Sequence, residues 1–134
     1  MSAELWYVDS SALVKVVIEE PESVVLRRWL VGRTNLTASD LIRVEVLRAV
    51  RAADPVALPR ALAAINELTL VRLDGDLYER AAFLDPPTLR TLDAVHLASA
   101  LSIGSELTGV LTYDARMADG ARAFGLEVAA PGRR

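Results

Sequence analysis

The chain has 134 residues, 52% of them hydrophobic and 25% charged, with a formal net charge of −3 and no cysteine. That length and balance suit one globular domain with a real core, and the missing cysteines exclude disulfides, thiolate metal sites and a cysteine nucleophile. The slight acidity argues against a protein that coats nucleic acid by bulk charge, and a single histidine, His96, argues against a site built from several imidazoles.

"LWYVD" (5–9) predicts a compact apolar strand, and "SSALVKVVIEE" (10–20) a helix with Ser10 or Ser11 as its N-cap. Pro21 ends that helix and opens the next, 21–32, which Gly32 closes. "TNLTA" (34–38) predicts a short strand, and "SDLIRVEVLRAVRAAD" (39–54) a helix capped by Ser39. On it Ile42, Val46, Ala49 and Val50 form a core-facing stripe bordered by Leu41. A helix over 55–67, an alternating strand over 68–74 and a helix over 75–84 follow, the last broken by "DPP". "TLDAVHLASAL" (91–101) predicts a helix buried nearly all round, with Thr91 as a candidate N-cap. The remaining elements are a strand within 107–114, a short helix over 115–125 and an edge-like strand over 126–130.

Strands alternating with helices predict a mainly parallel sheet covered on both faces. The expected organisation is one α/β domain over residues 1–130 with a tail at 131–134. The N-terminus lacks the basic start and apolar core of an export signal, and no apolar run reaches membrane-spanning length, so a cytoplasmic protein is expected.

In a parallel sheet the ligand site lies beyond the carboxyl ends of the strands. Asp9 ends the first strand, and Asp114 follows the "VLTY" strand. Glu45 starts near the same edge, in the second turn of the helix from 39. Asp93 joins them if its helix descends towards a strand parallel to the first. Taken singly, each acid also has an ordinary explanation as a helix cap, a turn residue or a surface ion pair. Together, four converging carboxylates repel unless cations lie between them. Oxygen-only ligands suit Mg²⁺ or Mn²⁺, and such sites serve phosphoryl chemistry.

"YVDSSALVK", "SDLIRVEVLRA", "LDAVHLASA" and "VLTYDARMADGARAFGLEV" resemble, in order and spacing, the four acidic motifs of PIN-domain nucleases. The closest likeness is to the VapC-type toxins of bacterial toxin–antitoxin pairs, and it covers about residues 9–128. The resemblance implies a PIN-like three-layer α/β/α sandwich with a mainly parallel sheet of about five strands. It implies a metal-dependent endoribonuclease that cuts tRNA or rRNA with a metal-activated water, leaving 5′-phosphate and 3′-hydroxyl ends. Asp9, Glu45, Asp93 and Asp114 become the acidic set around one or two Mg²⁺ or Mn²⁺ ions, with Glu45 acting directly or through water.

Thr112 matches the family's hydroxyl before the last acid, where it would orient a carboxylate or a water. Ser11 matches the hydroxyl after the first acid, though helix capping is its simpler role. Arg43, Arg48, Arg51 and Arg116 are candidates for an RNA rim, and as readily for solvated helix charges. His96 reads as a hydrogen-bonded structural histidine, and Lys15 as a snorkelling side chain. Asp40 and Asp119 read as peripheral, and Trp29 as a residue that packs on the sheet or helps form an antitoxin groove. The expected partners are RNA, a VapB-like antitoxin and a second copy of the chain, giving a homodimer and a heterotetramer or larger with antitoxin. Two alternatives stand beside this reading: a catalytically silent PIN-fold RNA-binding or scaffold module, and a magnesium-dependent phosphatase. A dehalogenase-like phosphatase would need a second Asp where Ser11 stands.

Overall fold

The computed structural model describes residues 3–133. Five strands form one all-parallel sheet: β1 (Trp6–Val8), β2 (Leu36–Ser39), β3 (Thr69–Val71), β4 (Gly109–Leu111) and β5 (Glu127–Ala129), in the order β3-β2-β1-β4-β5. Between them run α1 (Ser10–Val17), α2 (Ser23–Leu30), α3 (Ile42–Ala53), α4 (Leu58–Asn66), α5 (Gly75–Ala82), α6 (Thr91–Ile103) and α7 (Ala115–Ala123). Among the described residues no helix is long and apolar enough to cross a membrane.

The three-layer α/β/α arrangement follows from the period-2 alternation of buried strands. In the central pair every residue of "WYV" and "GVL" is buried, as a strand covered on both faces requires. Val8 and Leu111 point to the face covered by α1 to α4, where Leu13, Leu26, Ile42, Val46 and Ile65 fill the core. Tyr7 and Val110 point to the other face, against Leu97, Ala100 and Met117 of α6 and α7. α5 packs on α6 through Leu77, Ala81, Ala94, Val95 and Ala98. From β1 to β3 the chain moves one way across the sheet, and from β4 to β5 it moves the other. Right-handed crossovers therefore put the helices on opposite faces. The order reverses between β1 and β4, and a cleft at that switch point is the ligand site of such sheets.

Several boundaries differ from the expected ones. Ser39 is the last residue of β2, in register with Val71, so α3 begins only at Ile42. Its hydroxyl still accepts a hydrogen bond from the Leu41 N–H at 3.1 Å, satisfying a donor just ahead of the helix. α2 starts at Ser23 rather than Pro21, because the Ser23 hydroxyl donates to the Lys15 carbonyl at 2.6 Å and ties the two helices together. Ala49 is exposed rather than part of the core stripe, whereas Ile42, Val46 and Val50 are buried. Trp29 packs edge-on to Trp6 with ring centroids 4.8 Å apart, and the Arg33 guanidinium lies 4.2 Å from its ring. The chain past β5 folds back, with the Tyr113 hydroxyl donating to the Pro131 carbonyl at 2.6 Å and Arg133 donating to the Tyr113 carbonyl.

Gly109 shows how tightly the central strands are set. A Cβ there would stand 2.6 Å from the Glu127 carbonyl oxygen and 2.7 Å from Cζ3 of Trp6. The first is backbone and the second a packed ring, so neither neighbour can yield cheaply. Gly109→Ala is expected to cost about 1–3 kcal/mol and lower Tm by several degrees in a thermal melt. An unchanged Tm would show that β4 and β5 are looser than this spacing requires.

Candidate active site

Asp9 is fixed first, because it stands where β1 gives way to α1. Its backbone is extended, and its carboxylate caps α1 by accepting the Ala12 N–H at 3.2 Å. Asp9 itself, not Ser10 or Ser11, is thus the N-cap. Ser11 turns back instead, and its hydroxyl donates to Asp9 Oδ1 at 2.6 Å. The Thr112 hydroxyl, from the end of β4, donates to Asp9 Oδ2 at 2.5 Å. Each hydroxyl in turn accepts a backbone N–H, from Tyr113 at 2.9 Å and from Asp114 at 3.1 Å. Burial pushes the Asp9 carboxyl above the usual carboxylate range, and the donors from Ser11, Thr112 and Ala12 only partly offset it.

Glu45 reaches the same place from α3. Its Oε1 lies 2.7 Å from His96 Nε2, and His96 Nδ1 lies 2.7 Å from the Tyr7 hydroxyl. Tyr7 also accepts the Ser39 N–H at 3.2 Å. One proton arrangement satisfies every partner with a neutral ring: Tyr7 donates to Nδ1, and Nε2–H donates to Glu45. His96 is therefore the hydrogen-bonded structural residue expected, and it also anchors an acid to the core. Burial alone would lower its pKa. The hydrogen bond to Glu45 and the charges of Glu45, Asp9 and Asp93 outweigh that and raise it.

Asp93 and Asp114 are the less committed pair. Asp114 caps α7 by accepting the Arg116 N–H at 2.9 Å and is exposed. Asp93 lies in the first turn of α6, whose N-cap is Arg90 and not Thr91. No protein group hydrogen-bonds to its carboxylate among the described residues. Partial burial raises the Asp93 carboxyl, and the charge of Asp114 raises it further against the pull of Arg116, His96 and Arg90.

Asp9, Glu45, Asp93 and Asp114 all line one cleft of about 350 Å³ at the switch point between β1 and β4. They do not form a preformed ligand cage: among the described residues no three carboxylates or imidazoles stand close enough to hold one ion. Glu45 is drawn onto His96, and both Asp9 oxygens lie on hydroxyls. The donor chemistry nonetheless suits a hard divalent cation that keeps several waters. Every candidate ligand is a carboxylate oxygen, and the Asp93 carboxylate accepts no hydrogen bond from the described residues.

Residues 6–123 match the PIN-domain family. The chain belongs to it. Ribonuclease VapC46 of Mycobacterium tuberculosis is 44% identical over 125 residues, covering 93% of this chain and 96% of that protein, so this PIN domain is of the VapC type. The fold is shared with VapC20 of Mycobacterium tuberculosis, described as a sarcin–ricin loop cleaving toxin, at TM-score 0.73 and 18% identity over 94% of this chain and 99% of that one. A toxin–antitoxin complex from Klebsiella pneumoniae matches at TM-score 0.71 and 19% identity, over 93% and 96% of the two chains.

The remaining candidates separate clearly in this PIN domain. Arg116 lines the cleft. Arg43 instead pairs with Asp40 at 2.9 Å, and Arg48 and Arg51 are exposed on α3 without lining the cleft. Asp119 is exposed and stands 3.8 Å from Arg122. Lys15 is buried and paired with Glu22 at 2.9 Å and Glu20 at 3.4 Å, with Tyr113 beneath its ammonium. Two residues of the site were not expected from the sequence: Arg90, which also lines the cleft, and Tyr7, which holds His96. Arg90 carried a usable signal, since it lies three residues before Asp93 at a helix start. Tyr7 carried none, because a tyrosine in a buried strand reads as core.

The pKa directions fix a pH dependence. His96, raised, contributes stability that is complete below its ordinary 6.5 and is lost as pH rises through its native value. Asp9 and Asp93, raised carboxyls, likewise lose stability as pH climbs from their ordinary 3.8 through their native values, above which the loss is complete. All three act in one direction. In EDTA, Tm is expected to fall as pH climbs from about 6 to about 9. Glu45→Gln keeps the acceptor for His96 but removes the charge, so its Tm should fall less. Equal slopes for the two proteins would contradict the Glu45–His96 assignment.

Proposed function

We propose that this VapC-type PIN domain is a Mg²⁺- or Mn²⁺-dependent endoribonuclease and the toxin of a toxin–antitoxin pair. It works in the cytoplasm on tRNA or rRNA and leaves 5′-phosphate and 3′-hydroxyl ends. The observation that carries the reading is Asp93, a carboxylate with no hydrogen-bond partner among the described residues, which shares one cleft with Asp9, Glu45 and Asp114 and feels the charge of Asp114. A scaffold would gain nothing from this repulsion. A hydrolase gains a place for a cation.

Asp9, Asp93 and Asp114 would hold one ion, with Glu45 contributing directly or through water; a second ion is compatible with four acids. Bound there, a divalent cation supplies a water of lowered pKa and neutralises charge on the phosphate. The side chains do the positioning. Ser11 and Thr112 commit their hydroxyl protons to Asp9, so they aim that carboxylate and are not nucleophiles. His96 fixes Glu45 before RNA arrives, which spares the site that ordering during the reaction. Arg90 and Arg116 flank the acids and would steer and seat the phosphate backbone, offsetting the negative field of the cleft.

The toxin role rests on the VapC relatives, and the partner on the likeness to a toxin–antitoxin complex. A VapB-like antitoxin that places a basic side chain among these acids would neutralise them by charge-assisted hydrogen bonds. A homodimer, and a larger assembly with antitoxin, complete this reading.

Asp93→Asn separates catalysis from folding. It should reduce RNA cleavage at least about a hundredfold. In EDTA its Tm should equal or exceed that of the parent, because the substitution removes repulsion from Asp114 and breaks no protein hydrogen bond. Cleavage products mapped across total RNA identify the substrate. Undiminished cleavage by the variant, or cleavage that persists in EDTA, contradicts the mechanism. No cleavage of any RNA by the parent in Mg²⁺ or Mn²⁺ favours a scaffold.

A further inference from the structure

The acidic cleft does not end at its carboxylates. On one side Ser10 and Glu45 are shared with a groove that reaches Lys15, Tyr113 and Arg133. On the other side Thr91 is shared with a separate pocket of about 270 Å³ between α5, the loop over 84–90 and the start of α6. The two cavities differ in charge: the pocket has no charged side chain in its lining and the cleft has six. The cleft is lined by four acids together with Arg90 and Arg116. The pocket is lined by Leu84, Pro86, Pro87, Leu89 and Val95, and its only polar side chains are the hydroxyls of Thr91 and Tyr78. Tyr78 is its one aromatic residue and is 49% exposed, so the ring is available to a ligand.

We propose that this pocket receives an unpaired nucleobase of the RNA beside the scissile phosphate, with Tyr78 as the stacking platform. The inference rests on the ribonuclease reading and extends it to the substrate's shape. Thr91 lines both the pocket and the cleft, so adjacent parts of one strand can occupy both. Arg90 stands next to that divide and suits the phosphate that links them. Apolar walls with one aromatic ring bind a base by its faces, which every base has. Two hydroxyls read little of a base edge, so this subsite selects single-stranded over paired RNA and discriminates weakly among bases. A base held in a helical stack could not enter, which directs the enzyme to loops and unpaired ends.

The test uses the full chain and needs no cleavage. Adenosine and uridine, as free nucleosides without phosphate, are titrated into ¹⁵N-labelled protein in EDTA. Amide shifts are expected around Tyr78, Leu84, Thr91 and Val95. They should be lost in Tyr78→Ala and kept in Tyr78→Phe, with the rest of each spectrum unchanged. On cleaved RNA, Tyr78→Ala should raise KM by roughly 5- to 150-fold with kcat retained, the range for losing one stacked base. Absence of shifts with both nucleosides, shifts untouched by Tyr78→Ala, or an unchanged KM would overturn the proposal and leave the ribonuclease reading standing. Concentration-dependent shifts of the same amides without nucleoside would also overturn it, since a second copy would then cover the pocket. Nucleoside binding by a protein that cleaves no RNA would keep the base pocket and remove the ribonuclease.

Discussion

The site is organised around one buried carboxylate. Asp9 caps α1, accepts hydroxyls from Ser11 and Thr112, and so fastens the end of β1 to the end of β4. Those two strands are neighbours in the middle of a parallel sheet, where the strand order reverses. Burying a charge there costs several kcal/mol unless it is paired. Three donors are committed to it, and its pKa is still raised. Because both hydroxyls also accept backbone N–H groups of the Thr112–Asp114 turn, placing Asp9 places Asp114 as well. One hydrogen-bond network thus sets two of the four acids.

The other two are held differently, and that difference defines the site's chemistry. Glu45 hangs on His96, which hangs on Tyr7, so a core strand controls an acid on a helix of the opposite layer. Asp93 hangs, among the described residues, on nothing but its own helix. α6 is buried continuously from Ala94 to Ala100, which gives the carboxylate a rigid base without giving it a partner. A rigid base and the charge of Asp114, only partly offset by Arg116, His96 and Arg90, set Asp93 apart from the other acids. Arg90 and Arg116 line the same cleft, so the acids of this VapC-type PIN domain stand beside two cations of the chain itself.

Much of this could be read in the chain itself. The alternation of short apolar runs with helices predicted the parallel sheet, because central strands such as "WYV" are buried on both faces. The strand-end positions of Asp9 and Asp114 predicted their meeting, since topology alone carries both to one edge. Hydrogen-bond partners were harder. Asp9 displaced Ser10 and Ser11 as the cap because an extended residue ahead of a helix caps it best, whichever hydroxyls follow. Ser39 was absorbed by β2 because strand pairing with β3 outweighed an earlier helix start. The three arginines of α3 fell away from the cleft because a helix face is set by its apolar stripe, and that stripe turned them to solvent. Tyr7 was invisible as a functional residue because its hydroxyl acts from within the core.

The central claim is that the cleft between β1 and β4 holds a divalent cation on the carboxylates of Asp93, Asp114 and Asp9. Crystals of the full chain soaked in Mn²⁺, with anomalous data collected at the manganese edge, test it most directly. An anomalous peak is expected at about 2.0–2.3 Å from carboxylate oxygens of Asp93 and Asp114, with Asp9 or Glu45 reached directly or through water. A peak elsewhere on the chain, or none in the cleft at a Mn²⁺ concentration that supports cleavage, would contradict it.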